Sequence, residues 1–505
     1  MPDVSGFDNE KYLQEQASFI VHRAENSGSK LYLEFGGKLM FDYHAARVLP
    51  GFDPNVKIRL LQRLKDKSEI IVCLFAGDVE RKKMRADFGI TYDADVLRLI
   101  DDLKDWGLPV SAVVVTRYEN QPTVKQFINR LERRGKRVYV HRATRGYPTD
   151  VDLIVSDEGY GANEFVETSK PIVVVTAPGP GSGKLGTCLS QLYHEHKRGV
   201  KAGYAKFETF PIWNLPLKHP VNVAYEAATV DLGDFNQVDP FHLEAYKEVS
   251  INYNRDVEIF PVVRRILERI TGAASPYKSP TDMGVNRAGF AITNDEVVRK
   301  AAVQEIIRRY FRCGCEYAMG LADRDVLQRS ELLMKELEAK PDDRPVVAPA
   351  RRAAREAEAD RKGNEGVFCG AAICLKDGSV VQGKNSALMH AASSVVLNSI
   401  KQLAGIPDRL PLLSPSIIDA VSGLKKQVLN SKRLSLDLEE TLIVLSICAM
   451  TNPAAQLGME KLRELHGCEM HMTHIPTPGD EAGLRKLGVN LTSDPNFSSK
   501  NLFVS

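Results

Sequence analysis

The sequence predicts an α/β protein whose N-terminal part is built on a doubly wound, mostly parallel sheet. Three observations carry this. Continuous apolar runs, Ile70–Phe75, Val110–Thr116 and Ile172–Val175 among them, have the length and pattern of strands buried on both faces. Amphipathic stretches such as Asp95–Leu103 and Val124–Leu131 separate them, and strands alternating with helices need crossover connections, which make the strands parallel. The third observation is Pro171–His194, PIVVVTAPGPGSGKLGTCLSQLYH, which reads as strand, glycine-rich turn, lysine and helix. That order aims backbone N–H groups and a helix N-terminus at an anion, as in Rossmann and P-loop folds.

The fit to a P-loop is partial. G-x-x-x-x-G-K-[ST] asks for glycine where this chain has Pro178, and for a hydroxyl where it has Leu185. The nearest hydroxyls are Ser182 and Thr187. The residues expected to hold a phosphate are therefore Gly179, Gly181, Ser182, Gly183, Lys184 and Thr187. A nucleotide with Mg2+ is the cofactor such a loop would serve. The bland alternative is a packing turn, against which Lys184 adds a charge that a plain turn does not need.

Taken in order, residues 7–24 read as a helix, and Lys30–Phe41 as a strand running into a glycine turn. Glu34, Gly36, Gly37, Lys38, His44 and Arg47 crowd polar chemistry there, either as a further site or as solvated charge. Val138–Val140 and Leu153–Val155 are expected as further strands. After Phe75 comes a basic loop with Arg81, Lys82, Lys83 and Arg85, and after Val115 the loop TRYENQPT. Both belong at the end of the sheet where ligands bind. Val221–Val230 resembles a strand ending in Asp231, Asp234 and Asp239, an acidic group that is either a magnesium site or turn chemistry.

Residues 241–345 turn helical, with Asn294 capping a long amphipathic helix. Between two helices, the loop 275–290 gathers Lys278, Thr281, Asp282, Asn286 and Arg287, and is expected to form a second wall of the site. Asp282 and Arg287 are the candidate catalytic residues. The charged segment 346–366 reads as a linker or solvated helix. The expected divisions are thus 1–240, an α/β phosphate-binding domain; 241–345, helical; 346–366, linker; and 367–505, a smaller α/β domain.

In that last domain Asp377-Gly378 between apolar runs marks a hairpin. A hairpin followed by a helix carrying a histidine resembles the cytidine deaminase topology. The chemistry does not transfer: the glutamate of His-x-Glu would fall at Ala392, and no Pro-Cys-x-x-Cys follows. The eight cysteines show no paired C-x-x-C, so no metal site is expected.

Composition bounds the partners. Lys plus Arg number 67 against 65 acidic residues, so no general attraction to nucleic acid is expected. No apolar run approaches the ~18 residues of a membrane span, and MPDVSGFDNEKY lacks a signal peptide's basic and apolar regions. Scattered cysteines suit a reducing compartment, and a cytoplasmic location is expected.

The phrases FGGKLMFDYHAARVLPGF, VTAPGPGSGKLGTCLSQLYHEH and SPTDMGVNRAGFAI resemble a family of bacterial proteins of about this length and unknown function. The resemblance implies a bacterial, cytosolic, multi-domain protein, and supplies no activity or catalytic residue. The leading expectation is binding of a nucleotide or other small phosphorylated ligand, with phosphoryl or nucleotidyl transfer as its chemistry. The alternative is a non-catalytic ligand-binding or scaffold protein. A homo-oligomer is expected in either case.

Overall fold

A computed structural model describes residues 5–85 and 89–499; of Arg85, the side chain lies outside the described part. The chain divides into two compact units, one up to Ala302 and one from Val303 onward.

The first unit is organised by six strands: β1 (Lys30–Phe35), β2 (Ser68–Phe75), β3 (Val110–Thr116), β4 (Val138–Val140), β5 (Ile172–Thr176) and β6 (Ala202–Phe207). All pair in parallel, in the order β4-β3-β2-β5-β1-β6. Helices cover both faces. Tyr32, Cys73, Val114, Val173 and Val175 pack against α4 (Lys184–Lys197) and α6 (Asn254–Thr271), while α1 (Asn9–Asn26) and α3 (Tyr92–Asp105) meet the sheet on the side of Leu31, Leu33 and Val72. The α2 helix (Val56–Arg63) packs beside α1.

The topology fixes where a ligand can sit. From β2 the chain continues to β3, and from β5 it continues to β6 on the opposite side. These two neighbours therefore send their connections in diverging directions, which opens a crevice beyond their C-terminal ends. The glycine-rich loop leaves β5 at that crevice.

Three readings change. Leu153–Val155 is not a strand: Val151–Ile154 is a short helix, because Asp150 accepts a hydrogen bond from Leu153 N at 3.0 Å and caps it. Val221–Val230 is not a strand either, but α5 (Pro220–Ala228). Pro220 stands at its first turn, the His219 ring accepts from Val221 N, and its alanines favour the helix. The acidic group following it disperses accordingly. Asp234 pairs with Arg255 at 2.5 Å, Asp239 caps the helix Pro240–Tyr246, and Asp231 is exposed. Finally, β6 is a strand that apolar periodicity missed, since Gly203 and Lys206 interrupt its pattern at the sheet edge.

In the second unit, helix α7 (Val347–Ala359) occupies most of the charged segment and buries Val347, Ala350, Ala353 and Ala357. Four strands follow: β7 (Gly370–Cys374), β8 (Val380–Lys384), β9 (Glu469–Met472) and β10 (Asn490–Ser493). Their order is β8-β7-β9-β10, with β7 antiparallel to both neighbours and β9 parallel to β10. The expected hairpin is present: Leu375 N donates to Ser379 O at 2.8 Å across Asp377-Gly378. Helices α8 (Ala391–Leu403), α9 (Leu438–Cys448) and α10 (Pro478–Lys486) complete the core of this unit.

Candidate functional site

The loop between β5 and α4 is held from below by β3. Thr116 Oγ1 donates to Ser182 O at 2.9 Å, and Arg117 Nη2 donates to Gly181 O at 2.5 Å. Because a trans peptide sets its C=O and N–H on opposite sides, pinning these two carbonyls turns the N–H groups of Ser182 and Gly183 the other way. Gly181 and Gly183 both have positive φ, 72° and 84°. At Gly183, the residue before α4, a Cβ would also meet Thr116 at 2.8 Å, so geometry and space both require glycine.

The result is a row of unsatisfied donors. Among the described residues, no acceptor meets the backbone N–H of Gly181, Ser182, Gly183 or Lys184. Lys184 is half-buried in the first turn of α4, and its ammonium has no hydrogen-bond or ion-pair partner among the described residues. Gly181 is exposed and Gly183 and Lys184 are half-buried, so the loop is open to a ligand, and the helix dipole adds roughly half a positive charge here. Ser182 turns its hydroxyl back to Gly179 O at 2.8 Å. Thr187 is buried and accepts from the Cys73 thiol at 3.4 Å, so it faces the sheet and not the row of donors.

One segment expected to carry chemistry, Glu34 to Arg47, starts beside the strand that leads into this loop. Glu34 on β1 lies in register with Val175 of β5, and Lys38 lines a small cavity of about 20 Å³ with Ala177, Asp95 and Arg98. Gly36 permits a close approach: a Cβ there would fall 2.2 Å from the Glu208 carboxylate. Gly37 adopts φ 67° beside the Lys57 ammonium, which is bonded to Asp42 at 3.0 Å. Burial alone would raise the Asp42 carboxyl, but Lys57, Lys38 and His44 outweigh it and hold it below the usual range. His44 packs edge-on against Phe210, and Arg47 lies half-buried in the last turn of the helix Tyr43–Val48. In the basic loop, Arg81 pairs with buried Asp78, Lys83 stands 3.9 Å from it, and Lys82 is exposed.

Sequence reasoning missed a cluster at the end of β6. Lys206 is in register with Glu34 and bonds Asp256 at 2.7 Å, Glu208 at 3.2 Å and the Tyr253 hydroxyl. Burial, with Asp256 and Glu34 beside it, pushes the Glu208 carboxyl up to about 7 against the pull of Lys206. Although burial opposes it, Asp256, Glu208 and Glu34 together raise the Lys206 ammonium. The missed signal is the alternation of Lys206 and Glu208 at a strand end. Beneath the loop, burial pushes the Cys73 thiol up to about 12 and raises Cys188, so neither is a ready thiolate.

The 275–290 loop lies along the outer edge of β6, where Gly284 bridges Lys206. The register Val175–Glu34–Lys206–Gly284 places it three strand spacings from β5, about 14 Å. Its side chains have internal partners: Asp282 closes a capping box with Ser279, and Thr281 donates to Asp239 at 2.7 Å. Asn286 bonds Thr209 O at 2.7 Å, Lys278 stands over the Tyr246 ring, and Arg287 stacks on Phe290 at 3.7 Å. Among the described residues, no hydrogen bond or ion pair joins this loop to the glycine turn.

For a metal the donor set is poor. Among the described residues, no three His, Cys, Asp or Glu side chains converge at ligating distances. Leu185 supplies no hydroxyl beside Lys184, and Thr187 is turned away. These residues do not form the usual Mg2+ seat of a P-loop.

Comparison with known sequences places this geometry in a family. Residues 5–338 match the N-terminal domain of unknown function DUF1846, and residues 342–503 match its C-terminal domain. The chain belongs to the DUF1846 family. Similar members include the UPF0371 protein of Clostridium tetani (strain Massachusetts / E88), 59% identical over 498 residues, covering 99% of each chain. The UPF0371 protein of Clostridium botulinum (strain Loch Maree / Type A3) is 58% identical over 499 residues, again covering 99% of each. The family is bacterial and multi-domain, and its domain names assign no activity.

Proposed function

We propose that the loop Gly179–Lys184 binds the phosphate of a nucleotide or another small phosphorylated metabolite. One observation carries this reading: four consecutive N–H groups and the Lys184 ammonium lack protein acceptors among the described residues, at the crevice of a parallel sheet. An anion there replaces repulsion with charge-assisted hydrogen bonds. Phosphoryl or nucleotidyl transfer is the chemistry we attach to it. The raised Glu208 carboxyl takes the role of proton carrier, with Lys206 stabilising developing negative charge, and Asp282 with Arg287 is the alternative pair. No step is routed through a metal.

The alternative, a ligand-binding scaffold, shares the phosphate contact and lacks the chemistry. Exposed apolar residues on neighbouring helices, Leu424, Val428, Ile443 and Ile447, support a homo-oligomer in both. The strand order of the second unit supports a deaminase-like topology without deaminase chemistry. Eight free thiols support a reducing, cytoplasmic location. No described helix is long and apolar enough to cross a membrane.

The test is melting of the full chain with nucleotides and sugar phosphates, with and without magnesium. A binder at a hundred times its Kd stabilises by about 2.7 kcal/mol. Lys184→Ala should abolish the response; a response equal in that variant, or none across the panel, removes the phosphate reading.

A further inference from the structure

The second unit holds a cavity of about 190 Å³ that the glycine-loop reading does not use. One wall is made by the segment between β8 and α8. Ser386 Oγ accepts from Leu388 N at 3.2 Å and Met389 N at 3.3 Å, a local turn that delays the helix until Ala391. His390 is thereby left extended at the N-cap, with its ring in the cavity wall.

The opposing carboxylate is Asp480, 2% exposed in the first turn of α10. It accepts from His390 Nδ1 at 2.7 Å, Thr477 Oγ1 at 2.8 Å and Leu438 N at 3.0 Å. Three donors lock the carboxylate in place. They also fix the proton of a neutral His390 on Nδ1, which leaves Nε2 as an acceptor. Among the described residues, Nε2 has no partner.

Arg433 lines the same cavity, and its Nη2 is buried with no hydrogen-bond partner. That N–H is closed to water; Arg433 lines the space through its other atoms, and the natural complement of a guanidinium is a carboxylate. Glu365 and Asp480 also line the space and, with His390 neutral, outnumber Arg433, so a single ligand carboxylate has a place only against the guanidinium and a second has none. A cavity of about 150 Å³ takes up the six carbons of benzene, so this partly open one encloses roughly eight non-hydrogen atoms.

We propose that this cavity binds a small monocarboxylate bearing a hydroxyl group, its carboxylate on Arg433 and its hydroxyl donating to Nε2 of His390. The site is separate from the phosphate loop and does not depend on that reading.

The probes are 2-, 3- and 4-hydroxybenzoate, titrated calorimetrically into the full chain, with benzoate and the hydroxybenzamides as partners lacking one group each. At least one hydroxybenzoate binds saturably and more tightly than both its partners. Arg433→Met lowers its affinity about tenfold or more while leaving the amide unchanged, and Arg433→Lys, which keeps the charge without the fork, falls between. His390→Phe removes the advantage over benzoate. Lys184→Ala changes nothing. The proposal fails if wild type shows no saturable binding up to about 10 mM. It also fails if Arg433→Met or Arg433→Lys, checked for native melting, binds as wild type does, or if Lys184→Ala abolishes binding.

Discussion

Gly183 and Glu208 show how single residues hold the N-terminal site in tension. Gly183 sits at φ 84° with Thr116 where a Cβ would be. Gly183→Val therefore meets both backbone strain and a clash, and should cost about 1–3 kcal/mol. Lys184→Ala, by contrast, should stay within about 0.5 kcal/mol. Denaturant titration of the two variants separates them; equal stability would mean the loop is not strained as drawn. Glu208 makes a pH prediction. Its folded carboxyl is raised to about 7 from an ordinary 4.5. Between those values the folded chain keeps a proton that the unfolded chain has lost. Stability should then fall as pH rises through that window, by up to ~1.4 kcal/mol per pH unit, and level off above it. Glu208→Gln removes this component of the fall. An unchanged slope in the variant would show that Glu208 is not the group that titrates.

At the scale of elements, Gly370 and Gly383 decide how the second sheet is covered. A Cβ at Gly370 would meet Ala350 O of α7 at 2.2 Å, and one at Gly383 would meet Val395 N of α8 at 2.3 Å. Gly370 pairs with Lys384 and Gly383 with Ala371, so the two glycines point to opposite faces, each with a helix laid against it. Gly370→Ala should cost about 1–3 kcal/mol through overpacking. A melting temperature equal to wild type would contradict that close approach. The buried strands were legible because β2, β3 and β5 carry unbroken apolar runs, Ile70–Phe75, Ala112–Val115 and Ile172–Val175, as a doubly covered sheet requires. The edge strand β6 was not, because Gly203 and Lys206 break its pattern. Val221–Val230 misled for another reason: a mostly apolar run of that length fits helix or strand, and His219 and Pro220 at its start decide for the helix.

At the scale of the molecule, the glycine turn could be read from local sequence because its parts are contiguous. Thr116 and Arg117 pin the turn, yet they precede it by more than sixty positions. Only the parallel order β3-β2-β5 brings them together. The Lys206 cluster and the cavity around His390 depend on tertiary neighbours in the same way. The exposed stripe makes a prediction about assembly. With Val428 66% and Ile443 61% exposed, Ile443→Asp combined with Ile447→Asp should shift the protein to monomer in sedimentation velocity. A monomeric wild type would remove the oligomer from the proposed function.

The most direct test of the central claim is a crystal structure of the chain grown in high sulfate or phosphate. A tetrahedral oxyanion is expected on the N–H groups of Gly181, Ser182, Gly183 and Lys184, with the Lys184 ammonium within about 3 Å of it. A loop without an anion, and Lys184 instead paired with Glu34 or another internal carboxylate, would contradict it.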